Sequence, residues 1–279
     1  MTHPSVYYAQ KRSLLLLILV CCLGLAKAQN GTLHALMLID EHSDIAPACI
    51  SDKFKMEEEV QIIAQKTRMN LNLVNIDYER VNVEKVVNEL SVGENDVIFF
   101  YFTGHGYRYE DQKSCGQYPY LYISKQKEHL YEAGICLESI DQQLQAKGAR
   151  LVITLADCCN NVLPYEEPIA MNTSVIGEVY KKLFLLSEGH VLATSSLPGQ
   201  FSFATNNGGY FTNSFLESIR EYANINANYE DLDWDTILKK TTAKTIISSD
   251  SKQKPQFKAL VKSIEEEAIP GMVILPEKN

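Results

Sequence analysis

The chain has 279 residues, 46% hydrophobic and 22% charged, with 26 Lys and Arg against 35 Asp and Glu and a formal charge of −9. This is ordinary globular composition, long enough for one large domain or two small ones with a real core. The acidic balance argues against nucleic acid or an anionic membrane as partner and for a basic or neutral one.

Residues 1–28 read as a secretory signal: Lys11 and Arg12, an apolar core over 14–25, then Ala26-Lys27-Ala28 as a small-x-small cleavage site. A core of about a dozen apolar residues is short for a membrane span, and no second run of spanning length follows. The expectation is an exported, soluble domain over 29–279, secreted or periplasmic, with no membrane association once the signal is gone. Without its signal the chain carries 23 basic residues against 35 acidic ones and five cysteines: Cys49, Cys115, Cys136, Cys158 and Cys159. An odd number in an exported protein leaves at least one thiol unpaired. A Cys115–Cys136 bridge is conceivable, but connectivity does not follow from sequence. Asn30-Gly31-Thr32 and Asn172-Thr173-Ser174 are glycosylation sequons if the host is eukaryotic.

In chain order, residues 33–39 form an apolar strand, 41–50 are irregular with Pro47 marking a turn, and a helical period starts at Asp52. Strand 71–76, helix 83–90 and strand 97–102 follow, so strands and helices alternate with short connections, the pattern of a parallel sheet with right-handed crossovers. Past Gly106 lies a loop rich in Tyr and Gly, with a short strand at 120–123. A helix over 138–147, a strand over 151–156, a helical period over 175–186 and a strand over 191–194 come next. Gly208-Gly209 opens an amphipathic helix, and another spans 235–246, capped near Asp233. The closing strand, 254–261, contains Pro255, which places that residue at the strand's start or on an edge. No repeat or long linker divides the chain.

Two of these strands matter most. Phe99-Phe100-Tyr101-Phe102-Thr103 and Leu151-Val152-Ile153-Thr154-Leu155-Ala156 are apolar throughout, as strands buried on both faces are, and they end in Gly104-His105-Gly106 and Asp157-Cys158-Cys159. Ligands of open α/β sheets bind beyond the carboxyl ends of the strands, so His105 and a thiol are expected to face one cleft. Alternation along the strand puts Asp157 and Cys159 on one side and Cys158 on the other, which favours Cys159 as the reactive thiol and Cys158 as a buried small hydrophobe. The flanking glycines allow unusual dihedrals and close approach of backbone around His105. The structural alternative is that the paired cysteines fill the core or supply half a disulfide while His105 caps a turn. A zinc site lacks the ligand spacing it needs.

Tyr101-Phe102-Thr103-Gly104-His105-Gly106, followed about fifty residues later by Asp157-Cys158-Cys159, resembles the His-Gly and Asp-x-Cys boxes of the caspase-like cysteine peptidases, most closely the metacaspase branch. Cys49-Ile50-Ser51-Asp52, Ala193-Thr194-Ser195-Ser196, Gly209-Tyr210-Phe211-Thr212 and Gln253-Lys254-Pro255-Gln256 are similar to further boxes of that family, in its order. The resemblance implies a three-layer α/β sandwich around a mostly parallel sheet of about six strands. It further implies Cys159 as nucleophile, His105 as base and acid, and the amides of Gly106 and Cys159 as the oxyanion hole. It places an acidic specificity pocket at Cys49, Asp52, Thr103 and Asp157, so that peptide or protein substrates carry Arg or Lys before the scissile bond.

The chain departs from the family in two places. Asn160-Asn161-Val162 stands where the family has His-Ser-Gly after its nucleophile, and the acids that bind activating calcium in metacaspases are missing between Gly134 and Asp141. No cofactor or metal is therefore expected, and calcium activation is not supported. Lys181-Lys182 reads either as an autoprocessing site or as a solvated charged pair. Two other functions compete with peptidase activity: a catalytically silent domain that binds basic peptides through Asp52 and Asp157, and an extracellular interaction domain whose cysteines, Cys159 included, are structural.

Overall fold

The computed structural model describes residues 30–109, 115–125, 134–161, 177–224 and 232–265. The signal segment and the sequon at Asn172 lie outside these residues. Six strands form the central sheet: β1 (Thr32–Ile39), β2 (Asn70–Ile76), β3 (Val97–Thr103), β7 (Leu151–Asp157), β8 (Ser187–Thr194) and β11 (Gln256–Ser263), in the order β11-β8-β7-β3-β1-β2. All neighbours are parallel except β11, which runs antiparallel to β8 at the edge. Pro255 thus stands just before an edge strand, where its missing N–H costs no ladder bond.

Alternation along the central strands builds two cores. Leu33, Ala35 and Met37 of β1, Phe99 and Tyr101 of β3, and Ile153 and Leu155 of β7 face α1 (Ala46–Thr67), α5 (Tyr210–Asn224) and α6 (Trp234–Ser248). Leu36, Leu38, Phe100, Phe102 and Val152 face α2 (Arg80–Glu89) and α3 (Leu137–Gln145) on the other side. This two-sided burial is why β3 and β7 are uninterrupted apolar runs in the sequence. Trp234, fully buried, stacks on Phe215 and meets Phe184 edge-on, locking α5, α6 and the turn before β8 together.

Away from the main sheet, β4 (Gly106–Tyr107), β5 (Tyr120–Tyr122) and β6 (Gly134–Cys136) form a small antiparallel sheet beside His105. A disulfide between Cys115 and Cys136, with Cα atoms 5.5 Å apart, ties it down. A second hairpin, β9 (Ala204–Thr205) and β10 (Gly208–Gly209), leads into α5.

Several local expectations change. Residues 41–50 are not irregular throughout, because α1 begins at Ala46 with Pro47 in its first turn, where a helix has no use for the missing N–H. Asn30 is buried and its amide donates to Thr67 O at 2.8 Å, so this sequon is closed to glycosylation in the folded protein. Lys181 and Lys182 lie in a π-helical turn, Lys181–Leu185, that continues the short α4 (Glu178–Tyr180). Lys181 pairs with Glu178 at 2.5 Å, and Lys182 O accepts from Ser187 Oγ at 3.0 Å. An internally bonded helical turn is a poor substrate for cleavage, so the pair reads as structural here.

Candidate active site

Parallel pairing sets the site's frame. Ile39 of β1, Thr103 of β3 and Asp157 of β7 lie level across three adjacent strands, so the residues just beyond them open on one edge of the sheet. There a cleft of about 450 Å³ is walled by His105, Gly106, Asp157 and Cys159, among others. Cys49 and Thr103 also line it, whereas Asp52 does not. The Asp52 carboxylate lies one layer behind the wall, accepting from Thr103 Oγ1 at 3.1 Å and from Gly209 N at 3.0 Å. The described residues place His105, Gly106, Cys49, Thr103, Asp157 and Cys159 together, with Asp52 as backing.

Alternation at the end of β7 separates the two cysteines. Cys158 packs into the core under α3, and Cys159 turns to the cleft. Cys49, Cys158 and Cys159 are free thiols, which removes the expectation that Cys159 is consumed in a disulfide. Ser195 and Ser196 pin the backbone between them. Cys158 N donates to Ser195 Oγ at 3.0 Å, and both hydroxyls donate to Cys158 O, at 2.8 and 3.2 Å.

Cys159 is 8% exposed, and its hydrogen-bond partners among the described residues are both on Ser202: the amide donates to Sγ at 3.4 Å, and the thiol points at the carbonyl at 3.7 Å. Burial pushes the thiol's pKa up, and the Asp157 carboxylate adds to that, against the opposing Ser202 amide. A thiol in this state holds its proton at neutral pH and needs a base to become a nucleophile. His105 shares the cleft but is not hydrogen-bonded to the thiol. Its Nε2 lies 3.0 Å from Asp44 Oδ1. Catalytic contacts in a site without substrate are often long, and they close when substrate arrives.

Glycine is required around His105 for space, since neither Gly104 nor Gly106 has a positive φ. A Cβ on Gly106 would meet the Cys159 carbonyl and stand 2.7 Å from Cys158 Sγ; one on Gly104 would be 2.9 Å from Asp40 and Tyr78. The expectation of close backbone approach holds, and unusual dihedrals play no part.

Asp157 is 5% exposed. Its Oδ1 accepts from Ser202 Oγ at 2.7 Å, and its Oδ2 accepts from Thr212 N at 3.0 Å and Thr212 Oγ1 at 2.8 Å. Burial raises the pKa of Asp157, and it raises that of Asp52 well above the carboxylate range, where the charge of Asp157 adds to the effect. Neither carboxylate has a cation within ion-pair distance among the described residues. Lys55, which bonds Asn213 Oδ1 at 2.8 Å and Asn207 O, acts on Asp52 from a distance and favours its charged form. These acids hold the start of α5 and the Ser202 segment in place, and their burial disfavours the charged form of each.

Asn160, where the chain departs from the family pattern, is a buried anchor. Its N donates to Gln200 O at 3.1 Å, its O accepts from Gly199 N at 2.8 Å, and its amide donates to Gln117 O at 2.9 Å. Gln253 completes the frame: Nε2 donates to Ser195 O and Ser202 Oγ, and Oε1 accepts from Phe203 N at 2.8 Å. Asp141, in the segment compared with the family's calcium site, is buried against Thr154 and Gln145.

A caspase domain model matches residues 49–264. The chain belongs to the caspase domain family. No curated protein matches it. Membership in a cysteine-peptidase family supports peptide hydrolysis in general, with peptide or protein substrates. The matched range starts inside α1, yet β1 sits between β3 and β2 in the sheet, so the fold of this caspase domain includes the strand before the match. Sequence reading missed several residues of the cleft, among them Ser202 and Asp44. No local pattern marks either, because each reaches its partner from another part of the chain.

Proposed function

We propose that this caspase domain is an exported cysteine endopeptidase of the metacaspase type, cleaving after Arg or Lys with Cys159 as nucleophile and His105 as base and then acid. One observation supports this specificity: Asp157 stands on the cleft wall beside Cys159, backed by Asp52, as a buried acid with no cation within ion-pair distance among the described residues, so an entering cation would favour its charged form. A guanidinium or ammonium group entering there would supply the missing partner through charge-assisted hydrogen bonds. An aspartate side chain would be repelled. The Cys115–Cys136 disulfide supports an oxidising compartment.

In this mechanism His105 takes the Cys159 proton as sulfur attacks the peptide carbonyl. The oxyanion is received by the amides of Gly106 and Cys159, backbone that runs in direct contact. The imidazolium returns the proton to the departing amine, leaving a thioester. Water then attacks the thioester, giving a proton to His105, and the acid product leaves as the thiol is restored.

The raised thiol pKa and the Ser202 contact favour a second reading, a silent domain that holds basic peptides at the same acids without cleaving them. Matched Arg, Lys and Asp peptide reporters, assayed with wild type and Cys159→Ala, separate the two. Cleavage of Arg and Lys reporters that vanishes in Cys159→Ala supports the peptidase. Binding of basic peptides without cleavage by either protein supports the silent domain.

A further inference from the structure

The strand order β7-β3-β1 puts His105 between two neighbours: Cys159 beyond β7 on one side and the loop after β1 on the other. With adjacent strands about 4.8 Å apart, a thiol, an imidazole and a third group carried on three successive strand ends fall into a row. The third group is Asp44. Its Oδ1 lies 3.0 Å from His105 Nε2, and it lines the same cleft.

Asp44 is not on a loose loop. Asp40, 1% exposed, receives His42 N at 3.1 Å and Ser43 N at 3.0 Å on one carboxylate oxygen, while its own N donates to Thr103 O. Ser43 O then accepts from Ala46 N at 3.2 Å, and Ile45 O accepts from Cys49 N at 3.2 Å, joining the loop directly to the first turn of α1. The segment carrying Asp44 is therefore braced against both the end of β3 and the helix.

We propose that Asp44 is the positioning residue of a Cys159–His105–Asp44 row. By accepting from Nε2–H it selects the tautomer that leaves Nδ1 as the free base, and it stabilises the imidazolium that forms when the thiol gives up its proton. The proposal rests on the assignment of His105 and Cys159 above. A buried carboxylate in this role is worth roughly 10⁴ in kcat in the serine-protease triad. The Asp44 side chain is 76% exposed, and water screens its charge, so a smaller effect is expected, about tenfold.

The test measures the rate at which iodoacetamide alkylates Cys159, followed by mass spectrometry, in wild type, Asp44→Ala, Asp44→Glu and His105→Ala, alongside kcat and KM on an Arg reporter. Imidazole ¹⁵N spectra of His105 report its tautomer. Expected are slower alkylation and about tenfold lower kcat with KM nearly unchanged in Asp44→Ala, partial rescue in Asp44→Glu, and loss of the single tautomer in Asp44→Ala. Slowing by His105→Ala but not by Asp44→Ala overturns the role of Asp44 while leaving the dyad standing. No slowing by His105→Ala overturns the dyad and the proposal with it. Faster alkylation or turnover in Asp44→Ala also overturns it, because the carboxylate would then be holding His105 away from the thiol.

Discussion

Asp157→Asn is the substitution that isolates the proposed pocket charge from the fold. The asparagine is nearly isosteric, and the hydrogen bonds around it tolerate the exchange. Its carbonyl can take the position of Oδ2, accepting from Thr212 N and Oγ1, while its NH₂ faces Ser202 Oγ, a hydroxyl able to turn from donor to acceptor. Gly209 already lies so close that an added Cβ there would be 2.6 Å from Asp157 Cγ, so the amide cannot swing away. Folding stability should change by no more than about 1 kcal/mol, as expected for exchanging one satisfied hydrogen-bond set for another. The bound substrate cation loses far more. Removing one partner of a buried pair costs roughly 3–5 kcal/mol, which at 1.36 kcal/mol per decade is about 10²- to 10³-fold or more in kcat/KM on Arg reporters. Steady-state kinetics on Arg and Asp reporters, with urea denaturation of the same preparations, measure both quantities. An Arg activity within threefold of wild type in a well-folded Asp157→Asn protein would refute the assignment of this carboxylate to substrate.

Asp52→Asn should change the pH dependence of stability. Burial raises the folded-state pKa of Asp52 and Asp157 above the roughly 3.9 of a free Asp, so the folded protein keeps protons that the unfolded chain has released. Their contribution to stability is therefore full at low pH and declines from about pH 4 upward, through the raised folded values. The difference in Tm between Asp52→Asn and wild type should grow in the variant's favour over that range, and parallel curves would count against the buried acid pair. Cys115→Ala with Cys136→Ala opens a loop spanning a sequence separation of 21 and should cost about 3 kcal/mol in denaturant unfolding; an unchanged midpoint would mean that the bridge does not form in solution. Gly106→Ala forces a Cβ against the Cys159 carbonyl and should abolish turnover on all reporters; wild-type kcat there would remove the oxyanion role of this segment. Trp234→Ala should cost about 3–5 kcal/mol, from a ring buried against Phe184 and Phe215, as read by urea denaturation.

The sheet was legible because its chemistry is local. Strands such as Phe99-Phe100-Tyr101-Phe102, buried on both faces, announce themselves, and each then delivers His105 or Cys159 to the same edge by register alone. The Asp157/Cys159 face and the inward Cys158 follow from the two-residue period. What escaped was set by sterics or distance. Pro47 looks like a turn and is a first-turn helix residue; β4, β6, β9 and β10 are too short to carry a period. Asp52 shares the spacing of the pocket box yet lies behind Thr103, since a residue's depth depends on what packs over it. Ser202 and Asp44 reach the reactive pair across 43 and 61 residues, and only the folded chain brings them there.

The most direct test of the central claim is to treat the folded wild-type protein with an arginyl acyloxymethyl ketone and with its aspartyl counterpart, then map the modified residue by peptide mass spectrometry. A Cys159–His105 peptidase with an acidic pocket forms a stoichiometric thioether at Cys159 with the arginyl reagent, a reaction abolished in His105→Ala, and leaves the aspartyl reagent untouched. Labelling at Cys49 or Cys158, equal labelling by both reagents, or no labelling of an accessible Cys159 would contradict it.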